Sequence, residues 1–133
     1  MNDKLLITFV VVGIVAVAGL AAFYPRVAQA PPEARSSVFY ISARIAEDGG
    51  FNVSEIRVRQ GDHVVVFLRS LDTTHGIVLR TPWVTIGEQV FVGQQKRFEF
   101  DARQAGLYQI FCANPLCSPS HHEMVIDLVV EPA

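Results

Sequence analysis

Both cysteines of the chain, two of its four histidines and one of its two methionines fall within a single short stretch, Phe111-Cys112-Ala113-Asn114-Pro115-Leu116-Cys117-Ser118-Pro119-Ser120-His121-His122-Glu123-Met124. Thiolate, imidazole and thioether together suit copper better than any hard cation, because soft sulfur ligands favour soft metals. A loop this short aims several side chains at one point only if strands at both ends hold it. The flanks supply them: Gly106–Phe111 before and Met124–Val130 after, both rich in β-branched and aromatic residues and partly alternating.

The rest of the chain from Phe39 onward has the same character. Phe39, Ile41, Ala43 and Ile45 alternate with Tyr40, Ser42 and Arg44, the pattern of a half-buried strand. Glu47-Asp48-Gly49-Gly50 is turn chemistry. Ile56 and Val58 point inward against Arg57 and Arg59, Gln60-Gly61-Asp62 turns the chain, and His63–Arg69 is a more continuous apolar strand suited to the middle of a sheet. Further strand signals lie at His75–Leu79, Lys96–Phe100 and the two flanks of the cysteine loop, while Trp83–Phe91 reads as a loop leading into an edge strand. Seven or eight short strands at this spacing, with no amphipathic helical stretch competing, predict an all-β sandwich. About a hundred residues can bury one such core.

Half of the residues are hydrophobic, and the excess is local. Leu5–Phe23 is a charge-free run of about twenty residues, which at about 1.5 Å per residue spans a bilayer core. A signal peptide is the competing reading, and Ala28-Gln29-Ala30 imitates its cleavage site. The run is longer than the roughly 7–15 residues of a signal peptide's apolar region, and Pro31 is a poor residue to follow a cleavage point. The expected organisation is therefore a transmembrane anchor at 1–25, a linker at 26–37 containing Pro31-Pro32-Glu33, and a β domain at 38–133. Lys4 before the run and Arg26 and Arg35 after it give no charge bias for orientation. The formal net charge of −2, with no basic cluster, excludes a nucleic-acid surface.

From Cys117 onward the spacing Cys-x3-His-x2-Met resembles the binuclear copper (CuA) loop of cytochrome c oxidase subunit II. That family reads Cys-x3-Cys-x3-His-x2-Met and takes another histidine from an upstream Asp-x-x-His; this chain has Asp72-Thr73-Thr74-His75. The resemblance runs from about Phe51 to Glu131. Two departures stand out: four residues instead of three separate Cys112 from Cys117, and Ser118 stands where the family commonly has glycine. The resemblance implies a cupredoxin-like Greek-key sandwich whose loops hold two coppers at one end. Cys112 and Cys117 would bridge them. His75 and Met124 would complete one copper, and His121 with the backbone carbonyl of Asn114 (or, less suitably, Pro115) the other. It further implies an electron-entry subunit that sits in the lipid bilayer with its domain on the outer side. Such a subunit takes electrons from cytochrome c or a small copper protein and passes them to haem in the catalytic subunit I of a haem–copper oxidase. The single anchor and short length are most similar to subunit II of B-type oxidases; a related NO reductase is the alternative acceptor complex.

Other readings of the same residues stay open. Cys112 and Cys117 could be a plain disulfide in a structural subunit without metal. A membrane-tethered carrier with one type 1 copper would need a single cysteine. The extra loop residue keeps His122 in reserve for His121, and Met124 could simply be core. His63 begins a strand far from the motif and is expected to be an ordinary surface or core histidine. For Trp83, core packing and a docking role toward a cytochrome are both open. Asn52-Val53-Ser54 fits a glycosylation sequon of the kind that arises by chance.

Overall fold

The computed structural model describes residues 35–133. The expected anchor at 1–25 and the linker as far as residue 34 lie outside the described residues. Among the described residues, no helix is long and apolar enough to cross a membrane.

Eight strands make up the described part: β1 (Ser36–Ala43), β2 (Glu55–Arg59), β3 (His63–Ser70), β4 (His75–Arg80), β5 (Thr85–Val90), β6 (Gln95–Asp101), β7 (Gly106–Cys112) and β8 (Val125–Glu131). They form two sheets, β1-β3-β6 and β2-β8-β7-β4-β5. The β1–β3 and β2–β8 pairs are parallel and the remaining pairs antiparallel. Consecutive strands therefore repeatedly cross from one sheet to the other, as β3 to β4 and β6 to β7 do, which gives the cupredoxin-like sandwich.

Alternation dictates which side chains meet between the sheets. From the three-stranded sheet come Ile41, Ala43, Val64, Val66, Leu68, Phe98 and Phe100, and from the five-stranded sheet Ile56, Val58, Ile77, Leu79, Ile110, Ile126 and Leu128, all buried in one cluster. Each large aliphatic side chain removed from water here contributes about 1.5–3 kcal/mol. β3 is central in its sheet, with Val65 buried as well as Val64 and Val66, which accounts for its unbroken apolar run. β5 is the edge of the larger sheet and reads more weakly as a strand for that reason.

β1 begins at Ser36, inside the expected linker, and ends at Ala43, short of Ile45. Two further local features differ from the sequence expectation. Glu47-Asp48-Gly49-Gly50 is not a simple turn: Ala46–Asp48 forms one turn of 3-10 helix, closed by Gly49 and Gly50 at φ +104° and +65°. Those positive values suit glycine, which has no Cβ to clash. The final strand begins at Val125, one residue later than expected, because a second 3-10 turn, His121–Glu123, precedes it and Met124 caps that turn.

The register sets one end of the sandwich apart. β1 and β3 run toward it, β4 and β8 leave from it, and β7 arrives there at Cys112. The segments 44–54, 71–74, 91–94 and 113–124 converge at that end. Trp83 lies at the other: His75 pairs with Val90 near the cysteine loop, whereas Arg80 pairs with Thr85 beside Trp83. Trp83 is half-buried, packs edge-on against Tyr108 at 5.0 Å and donates its indole N–H to the Asp101 carbonyl at 2.7 Å. It therefore closes the far end of the sandwich, and a docking role beside the cysteine loop has no geometric basis.

Candidate metal centre

Cys112 is the last residue of β7, where strand alternation points its side chain inward beside Ile110. Cys117 lies on the far side of a tight turn through Asn114, Pro115 and Leu116. Asn114 builds that turn: its side-chain oxygen accepts from Leu116 N–H at 3.0 Å and its amide donates to the Thr74 carbonyl at 3.0 Å. Its backbone carbonyl accepts from Cys117 N–H at 3.2 Å. The extra residue is absorbed outward, leaving Leu116 90% exposed while both cysteines are buried.

The two sulfurs lie 3.4 Å apart, and Cys112 Sγ is 3.9 Å from His75 Nδ1. Both thiols are free; a disulfide would bring the sulfurs to about 2.0 Å. Among the described residues, His75, Cys112 and Cys117 form a buried group whose ligand atoms all lie within 4.8 Å of one another. Two soft sulfurs and an imidazole, shielded from water, fit a soft or borderline metal and not a hard one.

His75 is fully buried at the start of β4 and is aimed by Asp72. The Asp72 carboxylate accepts from Ile45 N–H at 2.6 Å and Thr73 N–H at 2.8 Å, and lies 2.9 Å from His75 Nε2. This leaves Nδ1 facing the sulfurs. A carboxylate on the far ring nitrogen fixes tautomer and orientation, as is usual behind a metal-binding histidine. Asp72 was legible as part of the motif, but its role as the acceptor was not.

Electrostatics separate the two thiols. Burial opposes ionisation of Cys112, but hydrogen bonds from His75, Asn114 N–H, Cys117 and Gly76 N–H outweigh it and bring the group down to about 7. Cys117 is pushed up to about 12, by burial first and then by its closeness to Cys112, whose thiolate forms more readily. Of the two, Cys112 gives up its proton more readily than Cys117. Burial lowers the basicity of His75, and the neighbouring Cys112 and Asp72 more than restore it, so its net shift is upward.

The other expected ligands are arranged differently. Met124 is buried, its carbonyl accepts from Cys112 N–H at 3.1 Å, and its side chain approaches Gly50. His121 is half-buried and does not join the buried group; its Nδ1 lies 3.1 Å from the Ser118 carbonyl. It shares a cavity of about 380 Å³ with Cys112, Ala113 and His122. His121 Nδ1 is taken up by the Ser118 carbonyl, which leaves its Nε2 free. His122 is exposed and packs edge-on to His121 at 5.9 Å. His63 lies at the opposite end, paired with Asp101 at 2.8 Å and Glu99 at 3.6 Å.

Sequence reasoning missed two supports. Gly76 abuts the cysteine loop: its carbonyl accepts from Ala113 N–H at 2.6 Å, and a Cβ there would stand 3.1 Å from Asn114 Cβ and 3.2 Å from Asn114 N. Glu47, more than sixty residues away in the chain, accepts from the Ser118 hydroxyl at 2.6 Å. That bond, with smaller help from its own backbone, holds the Glu47 carboxyl below its ordinary range. A glycine among strand residues can signal a close backbone approach, so Gly76 left a faint trace; Glu47 left none.

The chain was compared with known proteins. No family model matches the sequence. Nitrous-oxide reductase of Stutzerimonas stutzeri is 33% identical over 87 residues, which is 62% of this chain and 13% of that protein. The chain thus spans only a small part of that relative's length. In structure, a chain of a heme-copper terminal oxidase dimer superposes with a TM-score of 0.59 at 22% identity, over 96% of this chain and 92% of that one. Auracyanin from Roseiflexus castenholzii gives 0.57 at 16% identity, over 74% and 99%. The likeness to a heme-copper terminal oxidase chain agrees with the resemblance read from the cysteine loop, and the cupredoxin-like fold is shared with all of these structures.

Proposed function

We propose that this chain is the electron-entry subunit of a membrane haem–copper oxidase, holding a binuclear copper centre. The observation that carries the reading is the buried pair of sulfurs, 3.4 Å apart with His75 Nδ1 beside them, at the loop-bearing end of a cupredoxin-like sandwich. Cys112 and Cys117 are the bridging thiolates. His75 and Met124 serve one copper; His121 and the Asn114 carbonyl serve the other. That carbonyl keeps a second lone pair free beside its bond from Cys117 N–H. Both cysteines would bind as thiolates, so loading would release protons and uptake would be favoured by rising pH.

A thiolate-bridged copper pair, once bound, shares a single electron over two metals, so that bond lengths change little on transfer. The protein contributes the rest. β4 and β7 hold His75 and Cys112 at fixed positions, Met124 sits just ahead of β8, Asp72 locks the imidazole, and the buried setting excludes water. The apolar run Leu5–Phe23 anchors the β domain to the bilayer through the linker that precedes Ser36. Cytochrome c or a small copper protein is the donor and the catalytic subunit the acceptor. The match to nitrous-oxide reductase favours a second reading, that the same domain serves a reductase of a nitrogen oxide.

Copper content and electron paramagnetic resonance of the oxidised full-length protein test the centre. Two coppers per chain and a seven-line hyperfine pattern, from an electron shared equally by two nuclei, are expected. One copper with a four-line pattern would replace this reading with a mononuclear carrier. Absence of copper uptake would leave a structural domain. Subunits and haems co-purifying with the native protein separate oxidase from reductase.

A further inference from the structure

Beyond the expected ligands, one segment of chain touches the centre from two sides. The Ile45–Gly50 turn is tied to itself: Asp48 N–H and Gly50 N–H both donate to the Ile45 carbonyl at 3.0 Å, and Gly49 N–H to the Ala46 carbonyl at 3.1 Å. Arg44 N–H and the Gly50 carbonyl close its mouth at 2.9 Å. On one side it grips the His75 loop, through Ile45 N–H to Asp72 at 2.6 Å and through Leu71 N–H to the Ala43 carbonyl at 3.0 Å. On the other it grips the cysteine loop, where Ser118 Oγ donates to Glu47 Oε2 at 2.6 Å and accepts from Ser120 N–H at 3.0 Å. Ser118 follows Cys117 directly and is 5% exposed.

We propose that Glu47 is a positioning residue for this centre: held by the Ile45–Gly50 turn, its carboxylate fixes Ser118 and thereby the place of Cys117 Sγ relative to Cys112 and His75. The longer gap between the cysteines gives this loop more freedom than a three-residue gap would. Ser118 offers the hydroxyl by which a distant element takes that freedom away; a glycine in its place offers nothing to hold. Because the same turn also grips Asp72, the two loops that bring His75 and Cys117 together move as one. Glu47 touches no ligand atom, so its effect is on geometry and not on the electron-transfer step itself.

The proposal rests on the reading of the site as a metal centre, and its test separates the two. Full-length Glu47→Ala, Ser118→Ala, the double variant and Glu47→Gln are compared with the parent by two readouts. In the metal-free, reduced protein, the rates of Cys112 and Cys117 alkylation by iodoacetamide are each followed by mass spectrometry. In the copper-loaded protein, the hyperfine splitting is recorded. Loss of the clamp opens the loop locally, so each alanine variant is expected to raise the alkylation rate about tenfold. The double variant should be no faster than either single one, since one bond is being removed twice. Glu47→Gln keeps an acceptor oxygen and should stay within about twofold of the parent. Alanine variants within about twofold of the parent, or effects that multiply in the double variant, overturn the proposal. If the parent takes up no copper while the alkylation result stands, the metal reading fails and the positioning role survives. If the parent shows the shared-copper spectrum and Glu47→Ala changes neither readout, the positioning role alone is refuted.

Discussion

Gly76 has no side chain, and the loop carrying both cysteines is seated against that gap. A Cβ at this position would meet Asn114 Cβ at 3.1 Å and Asn114 N at 3.2 Å, and backbone yields less readily than a side-chain tip. Gly76→Ala is therefore expected to destabilise the protein by about 1–3 kcal/mol in denaturant titrations. It should also weaken copper retention, because Asn114 is displaced with the turn it builds. An unchanged midpoint and unchanged retention would show that the loop is not seated there. Among the expected ligands, Cys117→Ser removes a bridge and should abolish the seven-line spectrum outright. Met124→Leu conserves volume in a buried position, costs less than about 1.5 kcal/mol, and should leave two coppers with a shifted potential. Equal total loss from both changes would contradict the roles assigned to them.

The pairing of β3 with β6 brings an ionisable cluster to the end of the sandwich opposite the cysteines. His63 faces Asp101 and Glu99 there, and its basicity is raised by the hydrogen bond to Asp101 first, with Glu99 adding less. A histidine whose folded pKa lies above its unfolded value of about 6.5 stabilises the fold below that value, and the contribution is lost as pH rises through the folded pKa. Thermal melts of the metal-free protein between pH 6 and 9 also carry the titrations of His75 and Cys112, so the His63 contribution is read as the difference between the parent and His63→Gln, which should shrink as pH rises through that range. A parallel decline in the variant would remove His63 as the source. The elements themselves were legible wherever alternation ran for several residues, as in β1, β2 and β6. The 3-10 turn His121–Glu123 was not, because three residues are too few to carry a period, and the start of β8 moved from Met124 to Val125 as a consequence.

The eight strands of the described residues fall between Ser36 and Glu131, and their inner faces close one core. A chain beginning at Glu33 is accordingly expected to be recovered in the soluble fraction, to melt cooperatively, and to take up the same number of coppers as the full chain. Failure to fold without residues 1–32, or persistent sedimentation with membranes, would show that anchor and domain are not separable. The loops at 44–54, 71–74, 91–94 and 113–124 belong to different strand connections and are brought to one end only by the crossing of the chain between two sheets. That convergence makes a site from residues spread over most of the domain.

Residue order alone was enough for the all-β class, for the inward faces of β1 and β2, and for the grouping of thiol, imidazole and thioether near the C-terminus. These depend on local periodicity and spacing, which are properties of neighbours in the chain. Tertiary structure decided what depends on distant segments meeting. It set the 3.4 Å between the sulfurs and placed His75 against Cys112 with Asp72 behind it. It also sent Trp83 to the far end of the sandwich and left His121 on the Ser118 carbonyl. The contact of Glu47 with Ser118 belongs here too, since no spacing rule links residues on two loops that only the parallel and antiparallel pairing of separate sheets brings together.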